Sequence, residues 1–336
     1  MTAPAALCVL VTRRLSIDPL PFLRARLGEG CAVELHDSEN PIPRADLLAR
    51  AASADAIVAT LSDRIDEELL NRAPRLRVVA NHAVGVDNID LRACVARGVR
   101  ATNTPDVLTD ATADLAFALL LAVARRLREG ERMIREGRFT GWAPTMLLGL
   151  ELRGALLGIF GFGRIGQAMA RRALGFGMRV AWSRREGTSA AGPRIPADLQ
   201  TKVSELSFDE MLAQADAISL HAPLDASTRH AFSAAQLARM KRGALLINTA
   251  RGPLVDEAAL AAALAAGQLG GAGLDVFEHE PKVHPALLSR DDVVLVPHLG
   301  SATVAARRAM AETAMAEAAR VLLGQEPLHP VSPADR

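Results

Sequence analysis

The chain has 336 residues, half of them apolar and 23% charged, with a formal net charge of +1. That length accommodates two domains of ordinary size, and the near-zero charge gives no sign of nucleic acid or an acidic membrane surface as partner. Three scattered cysteines, Cys8, Cys31 and Cys94, offer neither a zinc spacing nor a disulfide framework, so no metal is expected and a reducing cytoplasm is the expected location.

In chain order, short apolar runs alternate with helical patterns. LCVLVT, AVELH, AIVAT and RVVANHA read as buried strands. PLPFLRARLG, PRADLLARAAS, DEELLNRAP and DLRACVARG read as the helices between and after them, with Asp90 capping the last. The opening ALCVLV is short and has no basic residue before it, so it reads as a first strand rather than a signal peptide. Asp106 to Gly137 then reads as one long helical stretch. Its run from Leu115 to Ala124 is about half a membrane span, hence a buried helix.

A second set of strands follows: ALLGIFG, MRVAWS, AISLHAP, ALLINTA, GGAGLDV and VVLVPH. RIGQAMARRALGFG, SFDEMLAQA, AAQLARMKRG and DEAALAAALAAG supply helices, and Ala302 to Gly324 is a final one that returns to the first domain. Strands alternating with helices imply parallel sheets, so the fold class is α/β with two doubly wound domains. One is expected over residues 1–104 plus 303–336 and the other over 105–302.

GFGRIG, Gly161 to Gly166, stands between a strand and an Ala-rich amphipathic helix. In that context G-x-G-x-x-G is a dinucleotide fingerprint: Gly161 for the tight turn, Gly163 for backbone approach to a pyrophosphate, Gly166 for helix–strand packing. Phe162, Arg164 and Ile165 complete the loop, whose N–H groups would face the anion. One strand later an NAD binder carries an acidic residue against the ribose 2′-hydroxyl. Here the strand ends in Ser183, Arg184 and Arg185, which suit the extra phosphate of NADP, so NADPH is the expected cofactor, with NADH the lesser alternative. The competing reading is a pair of solvated arginines balanced by Glu186.

Chemistry in open α/β sheets gathers at the carboxyl ends of strands. LLINTA runs into Arg251, GAGLDV into Glu280, and VVLVP into His298, so an arginine, a carboxylate and a histidine are expected on one rim.

NTARGPLVDEAAL, AGLDVFEHEP and PHLGSAT resemble the signature segments of the D-isomer-specific 2-hydroxyacid dehydrogenases. NHAVGVDNIDL, TPDVLTDATADLAFALLLAVARR and the glycine loop match in the same order, over nearly the whole chain. TPDVLTDATAD and the SRR after the second strand point to the glyoxylate and hydroxypyruvate reductases, with 2-ketogluconate reductases beside them. The resemblance implies a flavodoxin-like substrate domain, a Rossmann NAD(P) domain and a small 2-oxo acid substrate in the cleft between them.

It also implies roles. His298 would be the acid and base, and Glu280 would hold its imidazole and favour the protonated form. Arg251 would bind the substrate carboxylate and polarise its carbonyl. Val84 and Gly85 would bind the carboxylate through backbone N–H groups, and Leu61 would line the substrate pocket. His221, Ala222, Pro223, Thr228, Thr249, Ala250, Asp275 and Gly300 would line the cofactor site, Asp275 meeting the nicotinamide amide. Trp142 would reach the partner's active site in a homodimer, with 141–150 as the arm. The rivals are another D-2-hydroxyacid dehydrogenase, a 2-ketogluconate enzyme among them, and a dinucleotide-sensing co-repressor.

Overall fold

The structure, a computed structural model, describes residues 6–183 and 193–333. The chain divides into two compact units, Met1–Leu108 with Ala302–Arg336, and Thr109–Ser301.

The first unit is built on β1 (Cys8–Val11), α1 (Pro19–Leu27), β2 (Ala32–Leu35), α2 (Arg44–Ala51), β3 (Ala56–Ala59), α3 (Glu67–Arg72), β4 (Val78–Asn81), α4 (Leu91–Ala96) and β5 (Arg100–Thr102). CVLV, AIVA and VVAN are buried along their whole length, as strands covered on both faces must be. The strands form a parallel sheet in the order β2-β1-β3-β4-β5. Asp18, Asp66 and Asp90 start α1, α3 and α4 by accepting N–H groups of their first turns. The final helix, Val304–Leu322, packs on β3 and β4 through Ala311, Ala314, Met315 and Ala318. β5, three residues reading RAT, has too little apolar pattern to stand out as a strand; pairing with β4 makes it one.

The second unit opens with α5 (Thr109–Ala124) and α6 (Leu127–Arg135). They are two helices where the sequence suggested one continuous stretch. Arg126 takes a left-handed φ of 51°, and Leu150 N–H bonds to Ala124 O at 2.9 Å, occupying a carbonyl at the helix end. α6 then runs with no buried residue. The sheet follows: β6 (Leu156–Phe160), α7 (Arg164–Gly175), β7 (Arg179–Ser183), β8 (Val203–Glu205), α8 (Phe208–Gln214), β9 (Ala217–Leu220), α9 (Ala234–Arg239), β10 (Ala244–Asn248), a 3-10 turn at Gly252–Leu254, α10 (Glu257–Ala265), β11 (Leu269–Leu274), α11 (Pro285–Leu288) and β12 (Val293–Leu295).

These seven strands are parallel, in the order β12-β11-β10-β9-β6-β7-β8. The order reverses between β6 and β9, which places the ends of those strands at a topological switch point, where α/β sheets bind ligands. β8, like β5, is three residues long and gives no apolar strand signal in the sequence; it is also largely exposed. Apolar clusters fill both faces, one around Phe160, Leu246 and Phe232, the other around Leu120, Ile159 and Met169. Among the described residues no helix is long and apolar enough to cross a membrane.

Candidate active site

The glycine loop sits at the switch point of the second unit. Gly161 has a φ of +93°, and a side chain there would meet the Ala222 backbone nitrogen at 2.5 Å. The turn after β6 thus lies against His221 and Ala222 at the end of β9, and glycine is required for both conformation and space. A Cβ at Gly166 would stand 2.3 Å from Gly161 O, so α7 closes directly on the turn. Gly163 faces open space, with nothing among the described residues within 4 Å of where its Cβ would be. It is the N-cap of α7 and, among the described residues, makes no side-chain cap bond there. The first turn therefore presents an uncapped, positive helix end to an open approach, which is what a pyrophosphate needs.

Ser183 ends β7, buried, in register with Phe160 of β6, and its carbonyl accepts Gly161 N–H at 3.3 Å. The position that would carry the ribose-binding carboxylate thus lies beside the glycine turn and holds a serine. Phe162 stacks on Trp182 at 5.4 Å. Arg184 and Arg185 lie outside the described residues.

The rest of the expected lining gathers at the ends of β9, β10 and β11. His221 Nε2 and Ser219 Oγ are 2.8 Å apart, and burial pushes the imidazole down to about 3, so it is neutral. Thr228 Oγ1 donates to Pro223 O at 2.8 Å, closing the loop behind Ala222. Thr249 is buried and, among the described residues, its hydroxyl has no hydrogen-bond partner. An orphaned buried hydroxyl at one strand end and an open helix N-terminus at another strand end of the same sheet each fit a bound polar ligand, and these residues fit a nicotinamide dinucleotide. Asp275 is fully buried, and its carboxylate accepts the N–H groups of Leu299 and Gly300. Burial raises its pKa against those two bonds and His298. Asp275 therefore clasps the turn that follows His298.

Arg251, Glu280 and His298 come together on the rim. At the end of β10, Asn248 accepts Ala250 N–H at 3.0 Å and donates to Arg251 O at 2.8 Å, a side-chain turn that carries Arg251 out of the strand. The arginine Nη1 bonds Ala250 O at 2.7 Å. Gly252 then presses on the chain after β11: a Cβ there would lie 1.9 Å from both the carbonyl carbon and oxygen of Phe277. Glu280 Oε1 accepts Phe277 N–H at 3.1 Å and Oε2 lies 3.1 Å from His298 Nδ1. Burial pushes the Glu280 carboxyl up. The His298 bond and charge, the Phe277 N–H and the Arg251 charge outweigh it and hold the carboxyl below its usual range. His298 itself sits at φ 55°, its N–H bonded to Asp275 O at 2.9 Å. A non-glycine residue in left-handed backbone, its N–H held by the buried Asp275, is a feature of sites where orientation matters. His279, next to Glu280, is exposed.

In the first unit, Leu61 and Val84–Gly85 lie on loops after β3 and β4 that one network ties together. Asn81 and Asn88 bond each other at 3.2 Å, Asn81 donates to Gly85 O at 2.8 Å, and Asn88 donates to Thr60 O and Asp63 O. Asn103 donates to Val84 O at 2.8 Å. With their carbonyls engaged, Val84 and Gly85 keep N–H groups that bond no acceptor among the described residues. His82 is buried, which pushes its imidazole down to about 4, with the Arg307 charge adding to it. Trp142 is 80% exposed, on a segment where Phe139 and Leu148 are also exposed.

Sequence reasoning missed the supports: Asn248, Gly252, Glu257 and Glu278. The signal for the first two was the context of Arg251, an amide at the strand end three residues before it and a glycine directly after it.

A strand–glycine turn–helix unit, an uncapped helix N-terminus and an Arg–Glu–His rim define a dinucleotide-dependent oxidoreductase. Residues 117–300 match the D-isomer specific 2-hydroxyacid dehydrogenase NAD binding domain. The glyoxylate reductase of Thermococcus onnurineus (strain NA1) is 47% identical over 308 residues, 90% of this chain and 89% of that enzyme. The crystal structure of an NADPH-dependent glyoxylate/hydroxypyruvate reductase from Sinorhizobium meliloti, with NADP and malonate, superimposes with a TM-score of 0.82 at 35% identity, covering 97% of this chain and 96% of that one. A glyoxylate reductase from Paecilomyes thermophila gives 0.86 at 31% identity over 99% and 100%. The chain belongs to the D-isomer specific 2-hydroxyacid dehydrogenase family and is an NAD(P)-dependent oxidoreductase.

Proposed function

We propose that the protein reduces short 2-oxo acids, glyoxylate and hydroxypyruvate first, to their 2-hydroxy acids, with NADPH preferred. The observation that carries this reading is the Glu280–His298 contact of 3.1 Å beside a cation, Arg251, whose charge reaches Glu280. The names of the relatives support the substrate class.

The nicotinamide supplies the hydride when bound, at a site held by Gly161–Gly166, Ser183, His221, Ala222, Pro223, Thr228, Thr249, Ala250, Asp275 and Gly300. Arg184 and Arg185 add positive charge for the 2′-phosphate. Arg251 grips the substrate carboxylate and polarises the 2-oxo oxygen, where negative charge develops. His298 gives that oxygen a proton from the ring nitrogen opposite Nδ1. Glu280 holds Nδ1 and orients the ring, as a neighbouring carboxylate does for a catalytic imidazole. Val84 and Gly85 N–H groups bind the substrate carboxylate and Leu61 lines its side-chain pocket. Two copies form a homodimer through the exposed segment bearing Trp142.

A panel of 2-oxo acids assayed with NADPH and NADH tests the reading. Highest kcat/KM for glyoxylate or hydroxypyruvate with NADPH is expected. Absence of turnover with every 2-oxo acid, or a clear preference for NADH, rejects it.

A further inference from the structure

Behind the rim lies a second set of ionisable groups that the chemistry above does not use. Glu257, the first residue of α10, is 5% exposed. Its Oε1 accepts Glu278 N–H at 2.7 Å and its Oε2 accepts His284 N–H at 3.0 Å. In return, Glu257 N–H approaches Glu278 Oε2 at 3.3 Å. Glu278 Oε1 meets His230 Nε2 at 2.6 Å, with Arg229 Nη2 4.0 Å away. His230 sits at a φ of 51° and its N–H donates to Pro253 O at 2.8 Å.

These contacts join three segments that the fold delivers separately: the chain after β9 (His230), after β10 (Gly252 to Glu257), and after β11 (Phe277 to His284). Arg251 precedes the second segment by one residue. Glu280 lies two residues beyond Glu278. Gly252 is already pressed on Phe277 and Glu278, so a shift of either segment is passed directly to Arg251 and Glu280. A buried carboxylate is costly unless its oxygens are satisfied. Here they are satisfied by backbone N–H groups of the loop that carries Glu280, through bonds of the strong, charge-assisted kind.

We propose that Glu257, Glu278 and His230 form a positioning brace that fixes the Glu280 loop against the Arg251 turn and so sets the Glu280–His298 contact. The inference rests on the roles proposed above for Arg251, Glu280 and His298. None of the three brace residues contacts substrate; they act through the loops. A brace of this kind affects the chemical step through geometry, where a misplacement of about 1 Å costs about 100-fold in rate.

The test compares His230→Ala, Glu278→Ala and His230→Gln with wild type and with Glu280→Gln. The conservative Gln can still donate an amide N–H to Glu278 Oε1. Two readouts are taken: kcat and KM for 2-oxo acid reduction, and the ¹⁵N signal of the His298 imidazole across pH, assigned with His298→Ala. The brace predicts that both alanine variants lose kcat by about tenfold or more, with KM for NADPH unchanged. Their His298 signal should move toward that of Glu280→Gln, and His230→Gln should restore both. If Glu278→Ala does not fold, Glu278→Gln carries the same test with a smaller effect in the same direction. A His298 signal identical to wild type in the folded variants overturns the brace, whatever happens to stability. The imidazole readout needs no substrate. A wild type inactive on every 2-oxo acid would therefore defeat the proposed function while leaving the brace to be judged by the His298 signal.

Discussion

Gly252→Ala isolates the geometry on which the site depends, because it adds one methyl group and removes no functional atom. Its Cβ would stand 1.9 Å from Phe277 C and O and 2.5 Å from Glu278 N, where ordinary contact begins at 3.4 Å. The obstacles are backbone, so the chains after β10 and β11 must part by the shortfall, 3.4 minus 1.9, about 1.5 Å. Overpacking costs about 1–3 kcal/mol of stability. Arg251 and Glu280 flank the contact directly, and a displacement of about 1 Å at a catalytic constellation lowers rates about 100-fold. We expect kcat for glyoxylate to fall by about that factor. The glycine loop lies after β6, away from the clash, so NADPH should still bind, followed by fluorescence quenching, with any loss through the adjoining Thr249–Ala250 and Asp275 positions smaller than the loss in kcat. Circular dichroism and thermal melting establish that the variant is folded. A folded Gly252→Ala enzyme with near-normal kcat would refute the idea that this approach sets the rim. So would a defect confined to NADPH binding.

Arg251→Ala should lower kcat/KM by about 10²–10⁴, as loss of a charge-stabilising donor does, while NADPH binding holds; Arg251→Lys should lower kcat too, since an ammonium cannot grip carboxylate and carbonyl together. Steady-state kinetics on several 2-oxo acids check both, and near-normal efficiency on all of them would remove Arg251 from the mechanism. The Glu280 carboxyl, held below its usual range chiefly by His298 against the cost of burial, is ionised throughout the neutral range. Glu280→Gln removes a negative charge that favours a protonated neighbour, so the alkaline limb of the reduction profile should move to lower pH; an unmoved limb argues against the pair. Arg184→Ala with Arg185→Ala should raise KM for NADPH strongly and that for NADH little, each lost contact being worth about 1.5–3 kcal/mol at most and less where solvent screens it. A double variant that keeps its NADPH preference rejects the phosphate-binding role.

The sequence showed most clearly what local patterns control. CVLV, AIVA and ALLIN are continuous apolar runs because both faces of their sheets are covered, so they stood out. Asp90 could be read as a helix cap because the interaction spans three residues. RAT at 100–102 and VSE at 203–205 could not, because their strand character comes from pairing with β4 and β7. The break at Arg126 was hidden for the same reason. An uninterrupted helical pattern gives no hint that Leu150, 24 residues later, will bond Ala124. The rim followed the same rule. Arg251, Glu280 and His298 were legible as strand-end residues with chemistry-bearing side chains. The parts holding them in place, Asn248 turning the chain, Gly252 touching Phe277 and Glu257 holding Glu278, depend on contacts between segments up to about 25 residues apart. Asp275 makes a contact the sequence did not show: its carboxylate accepts the N–H groups of Leu299 and Gly300, which shapes the turn after His298.

The central claim is hydride transfer to C2 of a 2-oxo acid, with the proton delivered by the Glu280–His298 pair. It is tested most directly by reducing hydroxypyruvate with NADPH deuterated at both C4 positions and analysing the product by chiral chromatography and mass spectrometry. Wild type should yield D-glycerate carrying a single deuterium at C2, and His298→Ala should bind the cofactor but form almost none. L-glycerate, product without deuterium, or undiminished product from His298→Ala would contradict the account.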